Sequence, residues 1–166
     1  MESERIYSSQ VKRVGICSFP DLYQFCYDWL IDETNLLVSE DKYSEKIKGD
    51  AKEIDVKWTG IRKFSDYFKS KITVEFKTIA LKKVEIVQNG AKIKSNEGEI
   101  KITLKADLIR DWQGTYDTNW WAKFWRSVYD RWIIPHRIDQ MEDKIIGDSE
   151  EFLSQAKAFM DIEARN

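Results

Sequence analysis

The sequence is poor in the residues on which most active sites depend. Its 166 residues include one histidine, two prolines and two cysteines. The single imidazole, His136, excludes a zinc site with two or more histidines, and no serine or cysteine motif accompanies it. Gly-rich phosphate loops of the GxxxxGKS and GxGxxG types are absent as well. We therefore expect a protein that is not an enzyme and that uses no metal and no cofactor.

A weaker alternative is an enzyme that uses His136 with neighbouring acids. His136 follows a proline at a predicted helix junction, and carboxylates such as Asp111, Asp117 and Asp130 are numerous in this part of the chain. The sequence alone brings no two of them together. Asp130 is more simply explained as the partner of Arg126, four residues earlier, in a helical ion pair.

Long apolar runs are missing too. No uninterrupted apolar stretch approaches the roughly 18 residues that a transmembrane helix needs. The first ten residues, MESERIYSSQ, lack the basic start and the apolar core of a signal peptide. Cys17 and Cys26 fit no zinc spacing, and Cys26 falls on an apolar helical stripe. These features predict a cytoplasmic protein with structural thiols.

The net charge of −2 conceals an uneven distribution. Residues 1–41 carry a net charge of −5, residues 42–105 carry +7 and residues 106–166 carry −4. The basic central segment is the first feature with functional content, because clustered lysines attract acidic partners such as nucleic acid.

The central segment has the period of two that is typical of strands. Apolar side chains occupy every second position in 54–58 and in 100–108. Asn89-Gly90 lies between two short strands and is the dipeptide preferred in type I′ hairpin turns. Antiparallel strands are therefore predicted over 41–111.

A strand and a helix are predicted before this segment. Residues 5–16 predict a first strand. Ser18 and Asp21 have the spacing of a capping box, and the apolar stripe that follows predicts a first helix over 19–33. Strands with a single apolar face need a helical layer on that face.

The stretch TNWWAKFWRSVYDRWIIP contains four tryptophans. On a helix, the bulky side chains from Trp121 to Trp132 fall on one side, opposite Lys123 and Arg126. Aromatic side chains at this spacing are typical of a helix that packs on a sheet. The pattern predicts a helix over 118–134 with a buried aromatic stripe.

A second apolar stripe follows, formed by Ile134, Ile138, Met141 and Ile145. It points roughly 180–240° away from Trp121 if the helix is continuous. Pro135 resolves the conflict if its ring kinks or ends the helix; otherwise the second stripe must meet a partner. Gly147 is predicted to end this segment, and Asp148 with Glu151 is predicted to cap a last helix.

Together these patterns predict an α+β fold in a single domain spanning residues 1–166. A single antiparallel sheet of five or six strands is expected, packed on one face by the helices at 19–33 and 118–134. Additional C-terminal helices extend to residue 164. No internal repeat, low-complexity tract or linker divides the chain.

The predicted function is noncatalytic binding through aromatic and aliphatic surface near the Trp-rich helix. Trp120 lies at the edge of the aromatic stripe and is expected to form an exposed rim with aromatic residues of the preceding loop. Such a surface suits a protein partner, a second copy of the chain or an apolar small molecule. The candidate binding residues are Trp112, Tyr116, Trp120, Ile134, Ile138 and Met141.

The alternative function is weak, nonspecific RNA binding through the lysine-rich outer face of the sheet. Its candidate residues are Lys57, Lys69, Lys71, Lys77, Lys101 and Lys105. Asp55, Glu75 and Asp107 interrupt these lysines, and a solvated charged face is the simpler explanation. Because arginines and aromatics are missing among them, any binding is expected to be sensitive to salt.

Two resemblances complete the sequence evidence. The stretches DKYSEKIKGDAKEI, KFSDYFK and VYDRWIIPHRIDQMEDKIIGDSEEF resemble an uncharacterised family of small archaeal proteins, particularly from small-genome symbiotic lineages. That resemblance covers most of the chain and implies no function. The order of strand, helix, antiparallel strands and C-terminal helix is loosely similar to the helix-grip (START-like) fold, in which a sheet wraps a long helix and can enclose an apolar ligand.

Overall fold

The computed structural model describes residues 2–114, 120–128, 131 and 135–165. Five strands and three helices occupy these ranges, and the predicted first strand, first helix and central strands are among them. In chain order the elements are β1 (Glu2–Ile16), α1 (Phe19–Thr34), β2 (Leu37–Lys48), β3 (Ala51–Lys63), β4 (Phe68–Gln88), β5 (Ala91–Arg110), α2 (Trp120–Val128) and α3 (Pro135–Arg165).

All five strands form one antiparallel sheet in the order β1-β5-β4-β3-β2. The first strand pairs with the last, so that Glu2 lies opposite Arg110. The predicted Asn89-Gly90 turn joins β4 to β5, with φ angles of 52° and 80° at its two central residues, as a type I′ turn requires. A single antiparallel sheet with helices on one face confirms the predicted α+β class.

One face of the sheet is apolar and buried. Trp58 on β3 lies at its centre, fully buried, with its ring centroid 4.7 Å from that of Phe76 and 4.9 Å from that of Tyr23. α1 packs on this face with a buried stripe that includes Leu22 and Cys26. Burial raises the pKa of the Cys26 thiol, which therefore stays protonated. Both cysteines are buried.

α3 packs on the same apolar face beside α1. Its buried residues are Ile138, Ile145, Phe152, Leu153, Ala156 and Met160. Phe159 stacks on Phe25 of α1 at a centroid distance of 4.8 Å, and Phe152 contacts Trp29 of α1 at 5.7 Å. Each large apolar side chain buried here contributes about 1.5–3 kcal/mol. In the C-terminal third of the chain, α3 is therefore the element that covers the apolar face of the sheet.

The prediction that the aromatic stripe over 118–134 packs on the sheet is wrong for the residues described. α2 has no buried residue, and Trp121, Phe124 and Trp125 are 63%, 47% and 58% exposed. Trp132 lies outside the described residues. The apolar face that this helix was expected to cover is occupied by α3 instead, because a long aliphatic stripe covers more of the sheet than a short aromatic one.

The predicted break at Gly147 is also wrong. α3 begins at Pro135, where a missing N–H costs nothing, and runs through Gly147 without interruption. Asp148 does not cap a new helix; its carboxylate accepts a hydrogen bond from Lys144 at 2.7 Å, one turn earlier. Buried residues on both sides of Gly147, such as Ile145, hold the helix against the core and offset the roughly 1 kcal/mol that an interior glycine costs.

The capping box predicted at Ser18 and Asp21 does not form. Ser18 is the N-cap residue of α1, but its side chain makes no capping hydrogen bond. The side chain of Asn96 on β5 replaces it, because Asn96 Oδ1 accepts a hydrogen bond from the Phe19 N–H at 3.1 Å. A residue distant in sequence therefore fixes the start of α1.

A pair of glycine substitutions tests this description of α3. Gly147→Ala is expected to stabilise the protein by about 1 kcal/mol, since alanine favours a helix interior and its Cβ meets no atom within 4 Å. Urea unfolding followed by circular dichroism measures the change.

The matched substitution is Gly98→Ala, in β5. A Cβ at Gly98 lies 2.8 Å from the carbonyl oxygen of Ala80 and 2.9 Å from the Cα of Leu81, which are backbone atoms that cannot turn away. We expect a loss of about 1–3 kcal/mol, the usual cost of overpacking. Destabilisation by Gly147→Ala as well would contradict a helix that continues through that position.

Candidate binding surface

α2 is tied to the body of the protein by its polar side. Arg126 Nη2 forms an ion pair with Glu2 Oε2 at 2.9 Å, and Arg126 Nε donates a hydrogen bond to the hydroxyl of Tyr67 at 3.2 Å. Glu2 begins β1 and Tyr67 precedes β4, so both anchors lie at the same end of the sheet. Asp130, the partner predicted for Arg126 by helical spacing, lies outside the described residues.

The opposite side of α2 carries an aromatic face formed by Trp120, Trp121, Phe124 and Trp125. Their rings contact one another, with centroid distances of 4.9 Å for Trp120 and Trp121, 6.1 Å for Trp120 and Phe124, and 5.9 Å for Phe124 and Trp125. Trp120, the predicted rim residue, is 67% exposed. Because a whole aromatic side chain has about 150–250 Å² to bury, the aromatic face leaves roughly 500 Å² of apolar surface in water.

Charged residues of both signs lie on the polar side of α2 and at the start of β1. Lys123 on α2 is exposed, and α2 contains no acidic residue. Glu2 and Glu4 at the start of β1 are exposed as well, and Glu4 accepts a hydrogen bond from Arg110 at 3.2 Å. Lys123 and Arg126 therefore lie on the side of α2 that is opposite the aromatic face.

Trp112 lies just after β5, and its ring contacts other residues of the protein. Its indole N–H donates a hydrogen bond to the backbone carbonyl of Ser65 at 2.9 Å. The ammonium groups of Lys63 and Lys69 lie 4.7 Å and 5.4 Å from its ring centroid, which is cation–π distance. Trp112 therefore contacts lysines of the sheet, and Tyr116, the third member of the predicted rim, lies outside the described residues.

The predicted aliphatic stripe is mostly part of the core. Ile138 is buried and Met141 is half-buried against the core, while Ile134 lies outside the described residues. Met141 also borders a cleft of about 400 Å³ between the first turns of α3 and the β3–β4 connection, where Phe64 and Arg137 contribute to the walls. These residues therefore support the fold more than they offer a surface.

The lysines of the alternative site lie on the outer face of the sheet, interleaved with acids. Lys57 pairs with Glu75 in the ladder, and Lys71 pairs with Asp107. Lys77 lies between Asp55 on β3 and Lys101 on β5. Lys105 lies between Thr73 and Ser8, and Lys69 contacts Trp112 as described. Acidic residues therefore interrupt the lysines on this face, as the sequence predicts.

His136 contacts an amide side chain of its own helix. It is exposed on the first turn of α3, and its Nε2 lies 3.1 Å from Nε2 of Gln140. Asp111 is buried at the end of β5, and Asp117 lies outside the described residues. In the described part of the chain, no group of three or more histidine, cysteine, aspartate or glutamate side chains is arranged to hold a metal ion.

The exposure of the aromatic face is the feature that the sequence interpretation missed. The signal was partial, because the stripe around Trp121 and the stripe around Ile138 point in opposite directions if the helix is continuous through Pro135. In that case only one of the two stripes can face the sheet. Aromatic side chains were assigned to the core on their size, whereas the longer stripe of α3 buries more surface.

Comparisons with known protein families, curated proteins and solved structures find no match to this chain. The resemblances to a family of small archaeal proteins and to the helix-grip fold therefore stay predictions.

RNA binding by the lysine face is expected to be weak at most. Gel-shift titration with single-stranded RNA tests this, and any complex formed near 50 mM salt should disappear by about 200 mM. A Lys77→Glu, Lys101→Glu variant serves as the control, because it reverses two adjacent charges on the face. If the protein shifts no RNA at low salt, the proposed RNA binding is wrong.

The anchoring of α2 predicts a local effect of Arg126→Ala. A helix of nine residues is too short to be stable alone, so losing the contacts to Glu2 and Tyr67 should release it. We expect backbone amides of 120–128 to exchange at least tenfold faster in hydrogen-exchange mass spectrometry, with little change in the urea midpoint. Lys123→Ala is the control, and equal exchange in both variants would show that Arg126 is not the anchor.

Proposed function

We propose that this chain is a cytoplasmic, noncatalytic interaction protein that inserts the aromatic face of α2 into an apolar groove on another protein. The observation that carries the proposal is the exposure of four contacting aromatic side chains, three of them tryptophans. Exposed apolar patches of several hundred Å² mark interaction sites, because leaving them in water forgoes the stabilisation that burial provides.

The shape of the surface favours a protein groove over the other predicted occupants. The aromatic face is convex, whereas sites for apolar small molecules are concave. Two copies that met through this face alone would bury roughly 1,000 Å² in total, below the 1,200–2,000 Å² or so of a stable interface. A groove that surrounds an amphipathic helix also buries its flanks, and this is a common mode of recognition.

The charges favour a protein over a lipid surface. No helix in the described ranges is long and apolar enough to cross a membrane. Helices that lie on anionic membranes carry several free cations on their polar side. In α2 one of the two cations, Arg126, is paired with Glu2, so that Lys123 is the cation of this helix left to attract anionic headgroups.

The test is a Trp121→Ala, Trp125→Ala variant in a quantitative binding assay. A partner captured by the wild-type protein from its own cells is identified, purified and titrated by calorimetry. Buried tryptophans at interfaces typically contribute 2 kcal/mol or more, so we expect the double variant to bind at least about 30-fold more weakly. Circular dichroism should show an unchanged fold, since both side chains are exposed.

Ile162→Ala is the matched control, because Ile162 on α3 is 61% exposed and lies outside the aromatic face. It should leave the affinity unchanged. Three results would contradict the proposal: equal affinity of the double variant, a homodimer in native mass spectrometry that the same substitutions abolish, or binding to anionic vesicles that depends on them. The second would make another copy the occupant, and the third a lipid surface.

A further inference from the structure

A cavity of about 440 Å³ opens between the N-terminus of α1 and the sheet. Its volume is in the range of small-molecule sites. β1 connects this region to the binding surface on α2, with Glu2 near α2 and Ile16 next to the cavity. A strand of 15 residues is roughly 50 Å long, so the cavity and the aromatic face are separate sites.

An irregularity in the β4–β5 pairing shapes one wall of the cavity. The register shifts between Ile79 and Lys82, and Ala80 has a φ of 54°, a left-handed conformation that a non-glycine residue rarely adopts. Gly98 on β5 fits against the Ala80 carbonyl only because it lacks a Cβ. Bulges bend strands and redirect side chains, and they are frequent beside binding sites.

Asn96 holds the N-terminus of α1 against this wall. Its side chain accepts a hydrogen bond from the Phe19 N–H at 3.1 Å, and its backbone carbonyl accepts one from the Cys17 N–H at 2.9 Å. The hydroxyl of Ser18 makes no capping bond. The first turn of α1 is therefore fixed at the edge of the cavity, where the Phe19 N–H is already bonded and Pro20 has no N–H.

Ser95, next to Asn96, has a hydroxyl that forms no hydrogen bond with the described residues. The residue is 6% exposed, and its Oγ has no hydrogen-bond partner among the described residues. A buried hydroxyl without a partner destabilises a protein. Ser95 is one of the residues that line the cavity.

The charged residues that line the cavity carry a net positive charge. They are two acids and three lysines: Glu45, Glu85, Lys52, Lys83 and Lys94. Glu45 Oε1 lies 3.8 Å from Nζ of Lys52, and Glu85 lies opposite Lys94 in the β4–β5 ladder. Lys83 is exposed and forms no ion pair with the residues that the structure describes. The cavity therefore offers an anion the ammonium group of Lys83 and the hydroxyl of Ser95.

Apolar side chains complete the walls and extend the space. Phe19 and Leu81 are buried and border the cavity together with Tyr43. A second hollow of about 480 Å³ shares Phe19, Pro20 and Tyr43 with it and continues along α1. An apolar group attached to an anion therefore has room beside the polar end of the cavity.

We propose that this cavity binds a small carboxylate with an apolar body. The carboxylate accepts hydrogen bonds from Ser95 and Lys83 at the N-terminus of α1, and the apolar body packs on Phe19 and Leu81. The hydroxyl of Ser95, which has no hydrogen-bond partner among the described residues, gains one when the ligand binds.

The test is an NMR titration of ¹⁵N-labelled protein with 4-phenylbutyrate, and with the neutral 4-phenylbutyramide as the matched ligand. We expect saturable shifts in the amides of Phe19, Lys83, Ser95 and Asn96, with the neutral amide binding at least tenfold more weakly. Ser95→Ala and Lys83→Gln should each weaken phenylbutyrate binding at least fivefold. Lys123→Gln on α2 should leave binding unchanged, which separates this site from the aromatic face.

The stability of Ser95→Ala is the second readout. Because the substitution removes an unpaired buried hydroxyl, the unfolding midpoint of the free protein should stay the same or rise. A lower midpoint would mean that the hydroxyl stabilises the fold, and the proposal would fail. It would also be overturned by the absence of saturable shifts at these amides, by equal binding of the neutral amide, or by unchanged affinity in both variants.

Discussion

The rest of the structure depends on the apolar face of the sheet. This face accommodates two helices, and these are α1 and α3. Trp58 and its aromatic neighbours fill the space under α1, and the aliphatic stripe of α3 covers the face beside it. Apolar surface is buried most fully by the longest matching stripe. Once α3 lies on the sheet, α2 has no apolar surface of the core left to cover.

The two proposed sites at opposite ends of β1 both cost stability in the free protein. At one end, α2 keeps its aromatic side chains in water, held by the polar contacts of Arg126. At the other end, Ala80 adopts a left-handed backbone conformation where the β4–β5 register shifts, and the Ser95 hydroxyl has no hydrogen-bond partner among the described residues. Natural sequences depart from local rules mostly where function requires it. Both proposals rest on such departures.

The fold was largely predictable because local periodicity carries it. Alternation over 54–58 and 100–108 predicted strands with one buried face, and Asn89-Gly90 predicted the turn that joins the two longest strands. The helix break predicted at Gly147 is wrong because the cost of an interior glycine is smaller than the packing energy of the helix around it. The cap of α1 was not predictable, since Asn96 is 77 residues away from Phe19.

By itself, the sequence determined the α+β class, the antiparallel strands, the first helix and the two opposed apolar stripes of the C-terminal third, because these follow from the spacing of neighbouring residues. Only the tertiary structure decided which stripe is buried. It also placed Ser95 beside the N-terminus of α1 and joined Arg126 to Glu2, at the other end of the chain. The reason is physical: spacing fixes the direction of a side chain on its own element, whereas burial depends on which elements compete for the same apolar face.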